Sequence, residues 1–196
     1  MSNLVAYREA NKDDFARRHG LPLSYLPFVI QVVCESLKAN PYLNASWRDD
    51  GIVLKRYYNI GVAVALPDAL IVPVVRNADG LGLLDLARAI HDLSTRARTK
   101  SLRPEDVRGG TFTVNNTGAI GSIQGMAIIN QPQAAILSTE KIVKRPVVVD
   151  DAVAIRPIMY LTMSFDHRIV DGLQAGRFLD TVQEGLESWT PASIRL

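Results

Sequence analysis

The chain has one cysteine, Cys34, among 196 residues. No intramolecular disulfide can form and no thiolate metal cluster can be built, and because His167 and Asp171 lack a third ligand nearby in a recognisable pattern, no metal site is expected. This usage fits a reducing compartment, and a cytoplasmic location is expected. No apolar run approaches the ~18 residues of a membrane span, and the opening MSNLVAYREANKDDF is polar, without the apolar stretch of a signal peptide. No membrane partner is therefore expected. Charge of one sign is missing as well. There are 22 Lys and Arg against 20 Asp and Glu, a formal net charge of +2, which is too near balance for a nucleic-acid footprint or a polybasic face. Internal repeats, low-complexity tracts and linker-like stretches are lacking too, so residues 1–196 read as one domain.

What is present is an ordinary globular composition, 47% apolar and 21% charged. Residues 3–18 carry mixed charge and Gly20 follows, a helix with its terminating glycine. From Ser24, a candidate N-cap, Phe28, Val29, Val32, Val33 and Leu37 recur at helical spacing until Asn40-Pro41. Cys34 lies within this core helix, with no charged activator that would make its thiol reactive. The period then changes: GIVLKRYY alternates, and NIGVAVAL and ALIVPVV are β-branched runs. Residues 82–100 return to helical spacing. TFTVNN, MAIIN, QAAILS, PVVVDDAVAI and PIMYLTMSF follow as strands, the fourth folded on itself at Asp150-Asp151. A last helix starts near Gly172 and keeps Ala175, Phe178, Leu179, Val182 and Leu186 on one side. Helices and strands in this mixed order predict an α+β fold, a large mixed β-sheet flanked by helices.

Of three histidines, His19 sits at a helix end and His91 in a charged helix, where structural or solvated roles are commonplace. His167 differs. It ends the apolar strand IMYLTMSF between Asp166 and Arg168, and Asp171 and Gly172 then open the last helix. A histidine can give and take a proton near neutrality and so suits a reversible reaction at a thiol or hydroxyl. Two readings of Asp171 stay open: it orients the histidine, or it simply caps the helix. A second cluster, TFTVNNTGAIGS, offers two asparagines and two glycines at a strand end. It could bring amide donors and backbone N–H groups to a ligand or form a turn.

Together these clusters resemble a known family. SFDHRIVDG, residues 164–172, looks like the H-x-x-x-D-G signature of the acyltransferase component of 2-oxo acid dehydrogenase complexes, whose fold is that of chloramphenicol acetyltransferase. LKRYYNIGVAVA, VPVVRNADG, GGTFTVNNTGAIGSIQGMAIINQPQAAIL, KRPVVV and RPIMYL are similar to stretches of the same family in the same order, so the resemblance covers nearly the whole chain. It implies a dihydrolipoamide acyltransferase catalytic domain that moves an acyl group between the thiols of dihydrolipoamide and coenzyme A. By the resemblance His167 is the general base and Asp171 the second signature position. Where many members place a Ser or Thr hydroxyl against the oxyanion, this chain has Asn115, whose amide N–H can donate instead. Asn116, Gly118 and Ser122 belong to the same substrate-binding segment, and Arg76 is placed to meet the phosphates of coenzyme A.

The resemblance further implies a homotrimer with His167 of one subunit facing the 115–122 region of its neighbour. Trimers then assemble into a hollow core, a cubic 24-mer or a dodecahedral 60-mer. The lipoyl group would come from a separate domain. The chain shows no lipoyl or peripheral-subunit-binding domain, through which the dehydrogenase components would attach, and it begins as though a leading segment were absent. A core that assembles with weak or no activity is the alternative function. The NNTG segment with IVKRPVVV is most similar to branched-chain acyltransferases, with acetyl transfer second and succinyl third.

Overall fold

In the computed structural model of the chain, which describes residues 1–194, the first helix is Ser2–His19 (α1). It ends on Gly20 at φ 69°, a left-handed conformation that glycine adopts without steric penalty, and the Gly20 N–H returns to the Ala16 carbonyl at 2.9 Å. Helix α2 covers Leu26–Ala39. Ser24 does not cap it. The chain enters from Tyr25 without a side-chain cap, and Pro27 in the first turn, where a missing N–H loses no bond, sets the start.

A hairpin of Ala45–Arg48 (β1) and Gly51–Leu54 (β2) follows. The long apolar runs expected as single strands each break in two. NIGVAVAL gives Ile60–Val62 (β3) and Val64–Leu66 (β4), and ALIVPVV gives Ala69–Ile71 (β5) and Val74–Val75 (β6), with Pro73 unable to donate to a ladder between the latter pair. Helix α3 is Leu83–Arg98. Then come Phe112–Asn116 (β7), Ala135–Thr139 (β8), Val143–Val149 (β9), Ala152–Ile158 (β10) and Leu161–Phe165 (β11), with Gly172–Glu187 as α4. Strands β9 and β10 turn at Asp150 and Asp151, both with positive φ (49° and 58°), as the mirror-image hairpin turn requires.

MAIIN forms no strand. Its neighbourhood is tied to β11 by hydroxyls instead of a ladder: Thr162 Oγ1 donates to the Gly125 carbonyl at 2.6 Å and Ser164 Oγ to that of Ala127 at 2.5 Å. Met126 and Ile128 point outward, 84% and 92% exposed, so the short apolar run expected as a strand marks an outer surface.

Five strands make one mixed sheet in the order β11-β8-β7-β3-β6, with β7 parallel to both neighbours and antiparallel strands at the edges. Helices and a mixed sheet in this arrangement confirm the expected α+β class. One face packs on the helices. Phe112 of β7 meets Phe178 of α4 with ring centroids 5.5 Å apart, and Phe28 of α2 meets Tyr7 of α1 and Trp189 edge-on at 6.1 and 5.3 Å. Each of the fully buried rings, Phe28, Phe112 and Phe178, contributes about 1.5–3 kcal/mol. Because directly paired residues share a face, the opposite face carries Gly61, Thr113, Asn115, Ser138, Thr162 and Ser164. Ile136 and Val74 share that face, and Thr113, Ile136 and Ser138 are buried, so it is a mixed face in which hydroxyls and one amide gather at the Asn115 end.

Candidate active site

His167 stands where β11 leaves the sheet. The turn is braced from both sides: the Asp166 N–H donates to the Ala134 carbonyl at 2.8 Å, and the Ile169 and Val170 N–H groups return to the Asp166 carbonyl at 2.9 and 3.0 Å. Arg168 makes a two-pronged pair with Asp166 (Nε to Oδ1 2.9 Å, Nη2 to Oδ2 2.6 Å) and lies over the Trp47 ring at 5.1 Å. That guanidinium holds the Asp166 carboxyl below the usual carboxylate range. The pair therefore contributes fully above the carboxyl's ordinary value of ~4 and is lost only as pH falls through the lowered folded value, well below neutrality. The His167 imidazole is exposed, with its ring 5.5 Å from that of Phe165. No hydrogen bond to it forms among the described residues. Asp171 caps α4: its Oδ1 accepts from the Gln174 N–H at 2.8 Å, and its own N–H donates to Gln174 Oε1 at 3.0 Å. Its carboxylate thus fixes the helix that follows the histidine turn.

Asn115 lies near the end of β7, half-buried, with Nδ2 donating to Ser138 Oγ at 3.2 Å. Asn116 points to the helix side and caps the short turn Thr117–Ile120, its Oδ1 accepting from the Ala119 N–H at 3.2 Å. Gly118 packs directly on the chain after β8, and a Cβ there would come 2.5 Å from the Glu140 carbonyl carbon. The glycine therefore serves a close backbone approach. Gly118→Ala should lower stability by about 1–3 kcal/mol, the range for overpacking, measured by denaturant unfolding. Ser122 donates to the Gln124 carbonyl at 3.1 Å and accepts at its own carbonyl from the Lys141 N–H at 2.8 Å.

The sheet register separates the two clusters. Asn115 pairs with Ser138, and Ser138 with Thr162. Phe165 ends β11 three residue steps past Thr162, roughly 10 Å at ~3.3 Å per residue, His167 follows two residues on in the turn, and two strand spacings of ~4.8 Å lie between. A reacting carbonyl must sit about 3 Å from both base and donor, which no single copy of this chain allows. Arg76 follows β6 at the His167 end, because Val75 and Phe112 both pair with Ile60. Its Nη2 donates to the Glu105 and Arg108 carbonyls at 2.8 and 3.1 Å, so part of the guanidinium secures that loop.

The cysteine and the other two histidines lie apart from these clusters. Cys34 is buried in α2, His19 packs on Phe15 at 4.7 Å, and His91 is exposed on α3. Among the described residues no group of three or more His, Cys, Asp or Glu could hold a metal ion, and no helix is long and apolar enough to cross a membrane. Sequence reasoning missed Glu140, which is 2% exposed and bonded to the 117–125 segment. The one signal was an acidic residue closing the apolar strand AAILST. Trp47 was missed as well, for its strand is too short to show a period.

A model of the 2-oxoacid dehydrogenases acyltransferase (catalytic domain) family matches residues 1–194. The lipoamide acyltransferase component of the branched-chain alpha-keto acid dehydrogenase complex of Bacillus subtilis is 47% identical over 189 residues, 96% of this chain and 45% of that protein. The succinyltransferase component of the 2-oxoglutarate dehydrogenase complex of Rickettsia bellii is 43% identical over 188 residues, 96% of this chain and 47% of that protein. The chain thus spans a little under half the length of these relatives. A probable dihydrolipoamide acetyltransferase from Listeria monocytogenes has the same fold at TM-score 0.94 and 47% identity, covering 97% of this chain and 81% of that one. The cubic core of a pyruvate dehydrogenase multienzyme complex follows at 0.91 and 35%, covering 95% and 77%. Chloramphenicol acetyltransferase, at 15% identity and TM-score 0.53 over 90% of this chain and 83% of its own, shares the fold alone and bears out the expected architecture. The chain belongs to the 2-oxoacid dehydrogenase acyltransferase family, matching its catalytic domain.

Proposed function

We propose that this chain, as one catalytic domain, moves an acyl group between the thiol of dihydrolipoamide and that of coenzyme A at a site built from two copies. His167 of one copy acts as base and Asn115 of the next as oxyanion donor. The observation that carries this reading is the register: both groups suit the chemistry, yet the sheet keeps them at opposite ends of one chain. The exposed imidazole takes the proton of the attacking thiol, which titrates near ~8.5 and needs a base at neutral pH. The thiolate adds to the thioester carbonyl. The Asn115 amide then donates to the resulting oxyanion, and the intermediate expels the other sulfur, which takes the proton from His167. Asp171 holds the start of α4 and with it the histidine turn, while Asn116, Gly118 and Ser122 shape the opposing wall. The N–H groups of Arg76 not bonded to Glu105 and Arg108 meet the phosphates of coenzyme A at the His167 end.

A homotrimer built into a larger core, cubic or dodecahedral, is part of the same proposal; the likeness to the cubic core of a pyruvate dehydrogenase complex supports assembly into a multienzyme core. A lipoyl group and dehydrogenase components brought by other domains, and a cytoplasmic location, belong to it as well; that the relatives are lipoamide acyltransferase components of dehydrogenase complexes is in keeping with it. A branched-chain acyl group is proposed ahead of acetyl and succinyl. The test is transfer from acetyl-, isobutyryl-, isovaleryl- and succinyl-coenzyme A to dihydrolipoamide. Transfer of a neutral group is expected, isobutyryl or isovaleryl fastest. Thioester loss that needs no thiol acceptor would replace this reading with hydrolysis, and no turnover by an assembled protein would leave a structural core.

A further inference from the structure

Two residue steps beyond Ser138, the partner of Asn115, and on the same face of the sheet, a carboxylate is buried without a cation among the described residues. Glu140 follows β8, and the two-residue alternation places it on the side of Ser138, whose Oγ accepts from the Asn115 amide. Its Oε2 accepts from the Thr117 hydroxyl and its Oε1 from the Gly125 N–H at 3.1 Å, with Thr162 Oγ1 at 3.4 Å. All three groups are neutral. Among the described residues no Lys, Arg or His pairs with it, and Lys141 and Lys144, next along the chain, are exposed. Neutral donors satisfy the oxygens without cancelling the charge, so a field remains where water is excluded. Two residue steps along β8 separate Glu140 from Ser138, about 7 Å. A second negative charge at that range is strongly disfavoured, whereas a neutral group is unaffected.

We propose that Glu140 sets the charge specificity of the acyl site, rejecting acyl groups that end in a carboxylate and admitting neutral ones. This rests on the reading that Asn115 meets the thioester carbonyl, because that places the acyl chain within the field of Glu140. It is discrimination by repulsion: the wrong substrate is excluded without a contact to the right one. The reading also explains how a chain with similar identity to branched-chain and succinyl relatives can differ from the latter in substrate.

The test compares succinyl-coenzyme A with its uncharged isostere succinamoyl-coenzyme A as donors to dihydrolipoamide, at one ionic strength. The unaltered protein should use the amide with kcat/KM at least about ten-fold higher, and Glu140→Gln, which keeps the shape of the acceptor, should narrow the gap to about three-fold or less. Equal use of the two donors by the unaltered protein overturns the proposal, a comparison that needs no variant to fold. A gap that survives in a folded Glu140→Gln protein overturns it too. Transfer of neutral acyl groups without discrimination sinks this inference alone, whereas absence of all transfer sinks the acyltransferase reading with it.

Discussion

Replacing His167 by alanine should lower acyl transfer by a factor of about 10² to 10⁴, the contribution of a positioned general base, while leaving stability almost unchanged. The structure supports both halves. The imidazole is exposed, with its ring 5.5 Å from that of Phe165. The turn that carries it is held by groups the substitution does not touch, namely Asp166 on the Ala134 carbonyl, Arg168 on Asp166 and Trp47, and Asp171 on Gln174. Steady-state transfer and a thermal melt on the same preparation separate the effects. A variant that keeps more than about a tenth of the rate would remove His167 from the mechanism.

The second large effect concerns a mixture. Asn115→Ala alone should cost about 100-fold or more, the usual loss of an oxyanion donor, and His167→Ala as above, yet the two variants produced together in one cell should regain about a quarter of the unaltered activity. In a closed ring each site takes its histidine from one subunit and its asparagine from the next. With the variants mixed evenly, about half of the sites draw an intact histidine, and about half of those an intact asparagine. Were both groups to serve one site within a single copy, every site would lack one of them and the mixture would stay inactive. Co-production is needed so that the chains meet before they assemble. No recovery, with mixed oligomers confirmed by mass spectrometry, would refute the two-copy site.

How much was legible follows from the range of each cause. The Gly20 helix end, the Asp150-Asp151 turn and the Asp171-Gly172 start of α4 were read correctly, because each is decided by residues within a few positions of one another. The motif around His167 was likewise visible, since a strand, an ionisable cluster and a capped helix stand in one stretch of chain. Reading failed where one local pattern serves two ends. An apolar run is satisfied by one strand or by two in different sheets, and NIGVAVAL, ALIVPVV and PIMYLTMSF all take the second course. MAIIN is apolar like a buried strand yet turns Met126 and Ile128 outward.

The site shows the same division. The sequence by itself determined the chemical groups available, a histidine for proton transfer and amides for an oxyanion, and the α+β class that carries them. The tertiary structure decided where they stand: Asn115 level with Thr162 and far from His167, Asp171 committed to a helix start, Arg76 partly to a loop, and Glu140 buried beside the amide without a cation. Strand pairing is the reason. Register joins residues 23 positions apart, as with Asn115 and Ser138, through backbone bonds that no local pattern encodes, and it is that register on which the proposal of a site shared by two chains rests.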